Sequence, residues 1–330
     1  MILVGDSPPM RTLKARIERV AGTPLPVLLT GETGTGKEIV ARVVHERSGR
    51  RGPFVAVDCG AITSTLVETE LFGHERGAFT GANTRRDGLV AAARGGTFFL
   101  DEIGELPLES QTRLLRLLEG GTYRPVGSTD ERTADIRIVA ATWRDLGAEV
   151  DAGRFRRDLY HRLAAVDLHL PPLRDRGADV HALFDGFLAD ACRSPRRQVP
   201  AVEPEVRLLL ERWRWPGNVR ELRNVAQYAA AMAGRTVRLG DLPASCRGPV
   251  PAPPDVAIGT DLPIRTDLPY LESRRAWLDS FQLRYVEALL ALHGGNVTAA
   301  ARAAGMDRRS IQRVLSRLSP SLDVEGDDPG

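Results

Sequence analysis

The sequence predicts an α/β domain built on a parallel sheet, then a helical subdomain, then a separate all-α unit. Three observations predict it. Five short apolar runs end in polar or glycine-rich turns with helical patterns between them, the alternation of a parallel sheet covered on both faces. After "LPPLRDR", Leu170 to Arg176, the strand signals stop and three helical patterns follow. A proline-rich, aperiodic stretch then sets off a last helical segment, as an extended tether does.

In chain order, "MILVGDSPPMRTLK" reaches a polar, Pro-containing turn and lacks the basic segment and apolar core of a secretory signal. The strands are "PVLLT" (26–30), "FVAVD" (54–58), "TFFLDE" (97–102), "IRIVAAT" (136–142) and "AVDLHL" (165–170), with helices at "GKEIVARVVHERS" and "LESQTRLLRLLEGG". The second group of helices is "DVHALFDGFLADAC", "EPEVRLLLERW" and "NVRELRNVAQYAAAMA". The expected division is an α/β unit at 1–172, a helical subdomain at 173–244, a linker at 245–270, an all-α unit at 271–320 and a disordered acidic tail at 321–330.

Composition excludes some classes of function. Apolar content of 42% and charged content of 27% are ordinary for globular protein, and no apolar run approaches the roughly 20 residues of a membrane span; a cytoplasmic location is expected. Cys59, Cys192 and Cys246 are far apart and lack CxxC spacing, against a disulfide framework or structural zinc. The net charge of +2 decides nothing about nucleic acid. Lysine occurs only at Lys14 and Lys37, so the lysine in a glycine-rich turn is the informative one.

That turn, "GETGTGKE", comprises Gly31, Glu32, Thr33, Gly34, Thr35, Gly36, Lys37 and Glu38. It has phosphate-loop spacing between a strand and a helix, where backbone N–H groups, the helix N-terminus and Lys37 can cradle the phosphates of ATP. Glu38 stands where the general motif has a Ser or Thr that helps hold Mg²⁺, so the metal must lean on other oxygens. Asp101 and Glu102 end an apolar strand, where ligands of parallel sheets collect. Asp101 is expected to hold Mg²⁺ and Glu102 to orient or deprotonate the attacking water; a strand end capping the next helix is the plainer alternative. Arg156 and Arg162 can reach a phosphoryl group from outside the pocket or be solvated surface charge. Arg220 can contact nucleotide or make an intrahelical pair with Glu221 or a neighbour.

Near the C-terminus, "VEALLALHGGNVTAAARAAGMDRRSIQRVLSRL" reads as a helix-turn-helix. A helix ends near His293, Asn296 or Thr298 caps the next, and Gly305 turns the chain toward a third helix capped by Asp307. Ile311, Val314, Leu315 and Leu318 share its apolar face, while Arg309, Gln312, Arg313 and Ser316 face a DNA groove and Arg308 and Arg317 suit phosphates. A plain three-helix bundle is the alternative. Paired recognition helices imply dimeric units.

The segment "GHERGAFTGA", Gly73 to Ala82, suits neither an amphipathic helix nor a buried strand. Together with "GETGTGKE", "ELFGHERGAFTGA", "GGTFFLDEIGEL", "FRRDLYHRL", "LPPLRDR" and "WPGNVRELRN", in that order, it resembles bacterial enhancer-binding activators of sigma-54 RNA polymerase, members of the AAA+ ATPases. The resemblance runs from "VGDSPPM" to the last helix. It implies an AAA+ P-loop NTPase sheet with an α-helical lid, plus a Fis-type helix-turn-helix domain. It also implies that Gly77, Ala78, Phe79, Thr80, Gly81 and Ala82 form a protruding loop touching sigma-54, with Phe79 and Thr80 at the tip and the glycines giving it freedom to move. A second loop near Tyr123 to Ser128 is similar to the one that supports it. By the same resemblance Glu38 is ordinary, Arg156 and Arg162 reach a neighbouring subunit's ATP, Arg220 is the lid's nucleotide-sensing arginine, and the chain forms a ring of typically six subunits. Asp58 departs from the family's asparagine, which restrains the catalytic glutamate, and Trp143 replaces a commonly polar residue after Thr142. An aspartate there adds like-charge repulsion and can raise a carboxyl pKa.

The expected function is therefore ATP-driven activation of sigma-54 polymerase from an upstream double-stranded DNA element. A DNA-binding repressor with a decayed ATPase, suggested by Asp58 and Trp143, and a general AAA+ remodeller are the alternatives. The phosphate loop starts about thirty residues into the chain, whereas a regulatory domain needs about a hundred. Activity without phosphorylation of the chain's own N-terminus is expected, with restraint by a separate protein or with the sequence as a trimmed piece of a longer one.

Overall fold

The computed structural model describes residues 3–193, 197–246, 270–292 and 296–304, with Ile311 and Val314. The chain divides into two units, Met1–Arg247 and Gly248–Gly330. The first is organised by five parallel strands: β1 (Val27–Thr30), β2 (Phe54–Asp58), β3 (Thr97–Asp101), β4 (Arg137–Thr142) and β5 (Val166–His169), in the spatial order β2-β3-β4-β1-β5. Period-two alternation sends Leu28, Phe98, Leu100, Ile138 and Ala140 into one core and Val27, Leu29, Phe99, Val139 and Ala141 into another. Both faces are covered, which is why the strands read as continuous apolar runs. The connection from β1 runs toward the β2 edge while that from the adjacent β4 crosses to β5 on the other side, so the crevice at their carboxyl ends is where such sheets bind ligands.

The sequence marks a turn at Pro8 and Pro9; the structure instead opens helix α1 there (Pro8–Ala21). Proline fits a helix's first turn because its missing N–H would have no intrahelical partner, and Met10, Leu13, Ile17 and Ala21 then share a buried face. Further core helices include α2 (Lys37–Arg47), α3 (Ser64–Phe72), α4 (Leu108–Gly120) and α5 (Arg157–Leu163), with short helical turns at Leu89–Ala92 and Leu146–Asp151. The helical subdomain contains α6 (Asp179–Arg193), α7 (Pro204–Arg212) and α8 (Asn218–Met232), packed around Phe184, Leu188, Trp215, Leu222 and Val225. Strand signals do not stop entirely: Ala201–Val202 pairs in parallel with Thr236–Val237, segments too short to show a period.

The second unit contains α9 (Tyr270–Leu292) and α10 (Val297–Ala303), with Val286, Ala300, Ala301 and Ile311 buried together and Val314 against them. The Asn296 side chain accepts the N–H groups of Thr298 (3.1 Å) and Ala299 (3.0 Å), so Asn296 is the cap. Arg308, Arg309, Gln312, Arg313, Ser316 and Arg317 lie outside the described residues, as do Gly305, Asp307, Leu315, Leu318, residues 247–269 of the expected linker and the 321–330 tail.

Candidate nucleotide site

The loop after β1 delivers Lys37 as the first residue of α2, with Gly36 at the N-cap. Lys37 is only 6% exposed. Its ammonium donates to the carbonyls of Gly31 (2.9 Å) and Glu32 (3.4 Å) and lies 4.0 Å from Glu102 Oε1. Burial lowers the Lys37 pKa, while Glu102 and Asp101 oppose that shift. The cavity around it, about 310 Å³, is lined from the core by Thr33, Lys37, Asp101 and Glu102 and from the helical subdomain by Phe187 and Arg220.

Asp101 ends β3 and Glu102 leaves the strand at φ 51, a left-handed backbone that is strained for a non-glycine residue. Glu102 occupies the N-cap of the next short turn and its side chain caps nothing, whereas Asp101 Oδ1 accepts the Glu102 N–H at 3.1 Å. Glu102 Oε2 is buried without a hydrogen-bond partner among the described residues. Burial raises the pKa of both carboxyls; for Glu102, Lys37 pulls it back and the charges of Asp101 and Asp58 push it further up. Asp58 is exposed, in register with Asp101 on the neighbouring strand, and accepts the Gly60 N–H at 2.9 Å. The adjacent Cys59 thiol is pushed up to about 12, chiefly by burial. Glu38 lines the cavity but is paired with Arg42 at 2.7 Å.

Gly31, Glu32 and Thr35 do not line the cavity. Glu32 turns toward the helical subdomain and Thr35 is buried, its hydroxyl donating to the Glu32 carbonyl. Arg220 does reach the cavity, and its main-chain N–H donates to the Gly34 carbonyl at 3.3 Å. The Glu221 carboxylate is engaged elsewhere, accepting Trp213 Nε1 (2.9 Å) and the Gly217 N–H (2.8 Å). Arg156 and Arg162 stand apart from the cavity on the α5 surface, held by Asp158 (2.7 Å) and Glu119 (3.2 Å). Trp143, at the end of β4, is 54% exposed with the Arg144 guanidinium over its ring.

The glycine-rich segment is the tip of a hairpin. Gly73–His74 forms a short strand, more order than its composition suggests, antiparallel to Arg86–Asp87. The Gly77 N–H donates to the Ala82 carbonyl at 2.8 Å, closing the tip. Thr80 is exposed and Phe79 is 42% exposed, its ring set edge-on to His74 at 5.1 Å. Ala82 is buried and Ala78 half-buried, the latter so close to Gly127 that a side chain there would clash. The second loop is joined to the first by Val126 N–H to the Gly73 carbonyl (2.8 Å) and Glu75 N–H to the Val126 carbonyl (3.0 Å).

Sequence reasoning missed Arg174, Arg176 and Asn218, which tie the helical subdomain to the loop: the Asn218 amide donates to the Thr33 carbonyl and Arg176 to that of Thr35. Their positions inside "LPPLRDR" and "WPGNVRELRN" were the available signal. Fold and cavity together define a P-loop nucleotide-binding domain with a helical lid.

The comparisons with known proteins specify it. The Sigma-54 interaction domain matches residues 3–169 and the AAA+ ATPase lid domain residues 174–256. The transcriptional regulatory protein ZraR of Klebsiella oxytoca is 42% identical over 317 residues, covering 96% of this chain and 68% of the relative. The regulator NtrC of Azospirillum brasilense is 50% identical over 236 residues, covering 71% and 49%. NtrX from Brucella abortus in complex with ADP superposes with a TM-score of 0.71 at 34% identity, covering 96% of this chain and 70% of that one. The chain belongs to the sigma-54 interaction family of AAA+ ATPases, which acts in sigma-54-dependent transcription activation. It spans about half to two thirds of the length of these curated relatives. Among the described residues, no helix is long and apolar enough to cross a membrane.

Proposed function

We propose that this chain is a cytoplasmic, ATP-driven activator that binds upstream double-stranded DNA, assembles from dimers into a ring, and remodels sigma-54 RNA polymerase to open promoters. The observation that carries the reading is the meeting of Lys37, Glu102 and Arg220 around one cavity. Lys37 and the loop amides bind the phosphates, and the half-buried Glu102 carboxylate takes a proton from the attacking water. Arg220 reports phosphate occupancy to the lid. Mg²⁺ fits here, since it is ordinarily held by one or two carboxylates plus phosphate oxygens and water. Asp101 is the available carboxylate, with Glu38 committed to Arg42; when bound, the ion would neutralise developing phosphate charge.

Arg156 and Arg162, exposed outside their own subunit's cavity, serve a neighbouring subunit's ATP. Phe79 and Thr80, at a solvent-facing tip braced by the second loop, contact sigma-54. The division at 1–172, 173–244, 245–270, 271–320 and 321–330 assigns ATPase, lid, linker, DNA-binding unit and tail, with Arg308, Arg309, Gln312, Arg313, Ser316 and Arg317 reading DNA. The test is promoter opening by purified sigma-54 polymerase and ATP. Wild type opens promoters, whereas Glu102→Gln binds ATP but hydrolyses it at least about 100-fold more slowly and opens none. Equal opening by both proteins would overturn the reading.

A further inference from the structure

Glu32 belongs to the phosphate loop by sequence, but its carboxylate serves the lid. Oε1 lies 2.6 Å and Oε2 2.9 Å from the two terminal nitrogens of Arg174, a bidentate fork, and Oε2 also accepts the Asn218 amide at 3.1 Å. The same amide donates to the Thr33 carbonyl (3.0 Å), and the Asn218 side-chain oxygen accepts the Leu173 N–H (2.8 Å). One fully buried side chain thus joins the phosphate loop, the segment at Leu173 that leads into the lid and the start of α8.

Two further features set this apart from a surface ion pair, which would stabilise little. Asn218 holds φ 51, a conformation that persists only where surroundings over-determine it. Gly34 approaches the Gly217 carbonyl so closely that an added Cβ would sit 2.4 Å away, and its own carbonyl accepts the Val219 and Arg220 N–H groups. Hydrogen bonds from Arg174 and then from Asn218 hold the Glu32 pKa at about 2, so the carboxylate stays charged throughout the physiological range.

We propose that Glu32 and Asn218, braced by Arg174, are positioning residues: they latch the lid to the phosphate loop and thereby set where Arg220 stands over the cavity. Arg220 lies two residues beyond Asn218 on the same helix, so releasing the latch moves it away from the nucleotide. Opening the lid to exchange nucleotide requires this block to part, and its strength sets the rate of ADP release. The inference rests on the ATPase reading above.

The experiment measures stopped-flow release of a fluorescent ADP analogue from wild type, Glu32→Ala, Arg220→Ala and the double variant. Glu32→Ala and Arg220→Ala are each expected to speed release about tenfold, and the double variant to release no faster than Arg220→Ala alone, because coupled residues are non-additive. Arg174→Ala, which truncates an exposed side chain, repeats the test without disturbing a buried group and should show the same non-additivity. Unchanged release in Glu32→Ala, or fold-changes that multiply in the double variant, would overturn the latch. A wild type that binds no nucleotide would instead sink the ATPase reading, and the latch with it.

Discussion

Replacing Asp58 with Asn removes one negative charge from the end of β2 while keeping an acceptor for the Gly60 N–H. Asp58 is in register with Asp101 on the adjacent strand, about 4.8 Å across the sheet, and Glu102 is one residue further on. Two like charges about 7 Å apart repel by about 1.2 kcal/mol at an effective dielectric of about 40, and less where solvent and salt reach them. Asp58 is exposed, and salt screens such a charge, so it adds less to the Glu102 carboxyl than burial does. The sign follows from like charge: Asp58 disfavours the Glu102 carboxylate, adding to a pKa already raised by burial, and its removal lowers that pKa. A general base works deprotonated. The acid limb of kcat/KM for ATP therefore moves to lower pH in Asp58→Asn. Steady-state hydrolysis between about pH 5 and pH 8 measures it. A limb that stays put or moves to higher pH would show that Asp58 does not tune Glu102.

Phe79→Ala should retain ATP hydrolysis yet weaken capture of sigma-54 by at least about 30-fold, the cost of losing an aromatic anchor; a native gel with a transition-state mimic of ATP reads it, and undiminished capture would remove Phe79 from the contact. Arg137 is buried, and its guanidinium donates to the carbonyls of Val20 (2.8 Å) and Ala21 at the end of α1. Arg137→Met should lower stability by about 1–3 kcal/mol by stranding the Ala21 carbonyl, since the Val20 carbonyl keeps the Thr23 N–H and hydroxyl; the melting temperature should fall by about 3–10 °C, and an unchanged melt would mean that water satisfies the Ala21 carbonyl.

The strands and helices of the first unit were legible because both faces of the sheet are buried and each apolar run is bounded by turn residues. The Pro8–Pro9 helix start was not, since proline signals a turn and a helix N-terminus alike. Lys37, Asp101 and Glu102 were legible as a candidate site because local motifs place each at the carboxyl end of a strand in one parallel sheet. Asn218 was hidden: an asparagine at a helix start reads as a local cap, and nothing in its neighbours announces that its amide reaches Thr33 and Glu32, some 185 residues earlier in the chain.

Local chemistry therefore determined the phosphate loop, the acidic strand end, the glycine-rich tip and the sheet with its helical companion, since each depends on residues close together along the chain. Tertiary structure alone decided that Glu32 faces the lid instead of the nucleotide cavity, that Glu102 is strained and half-buried beside Lys37, and that the Phe79 tip is braced by the loop at Val126. Those outcomes depend on burial and on hydrogen bonds between distant segments, and both arise only when the chain closes on itself.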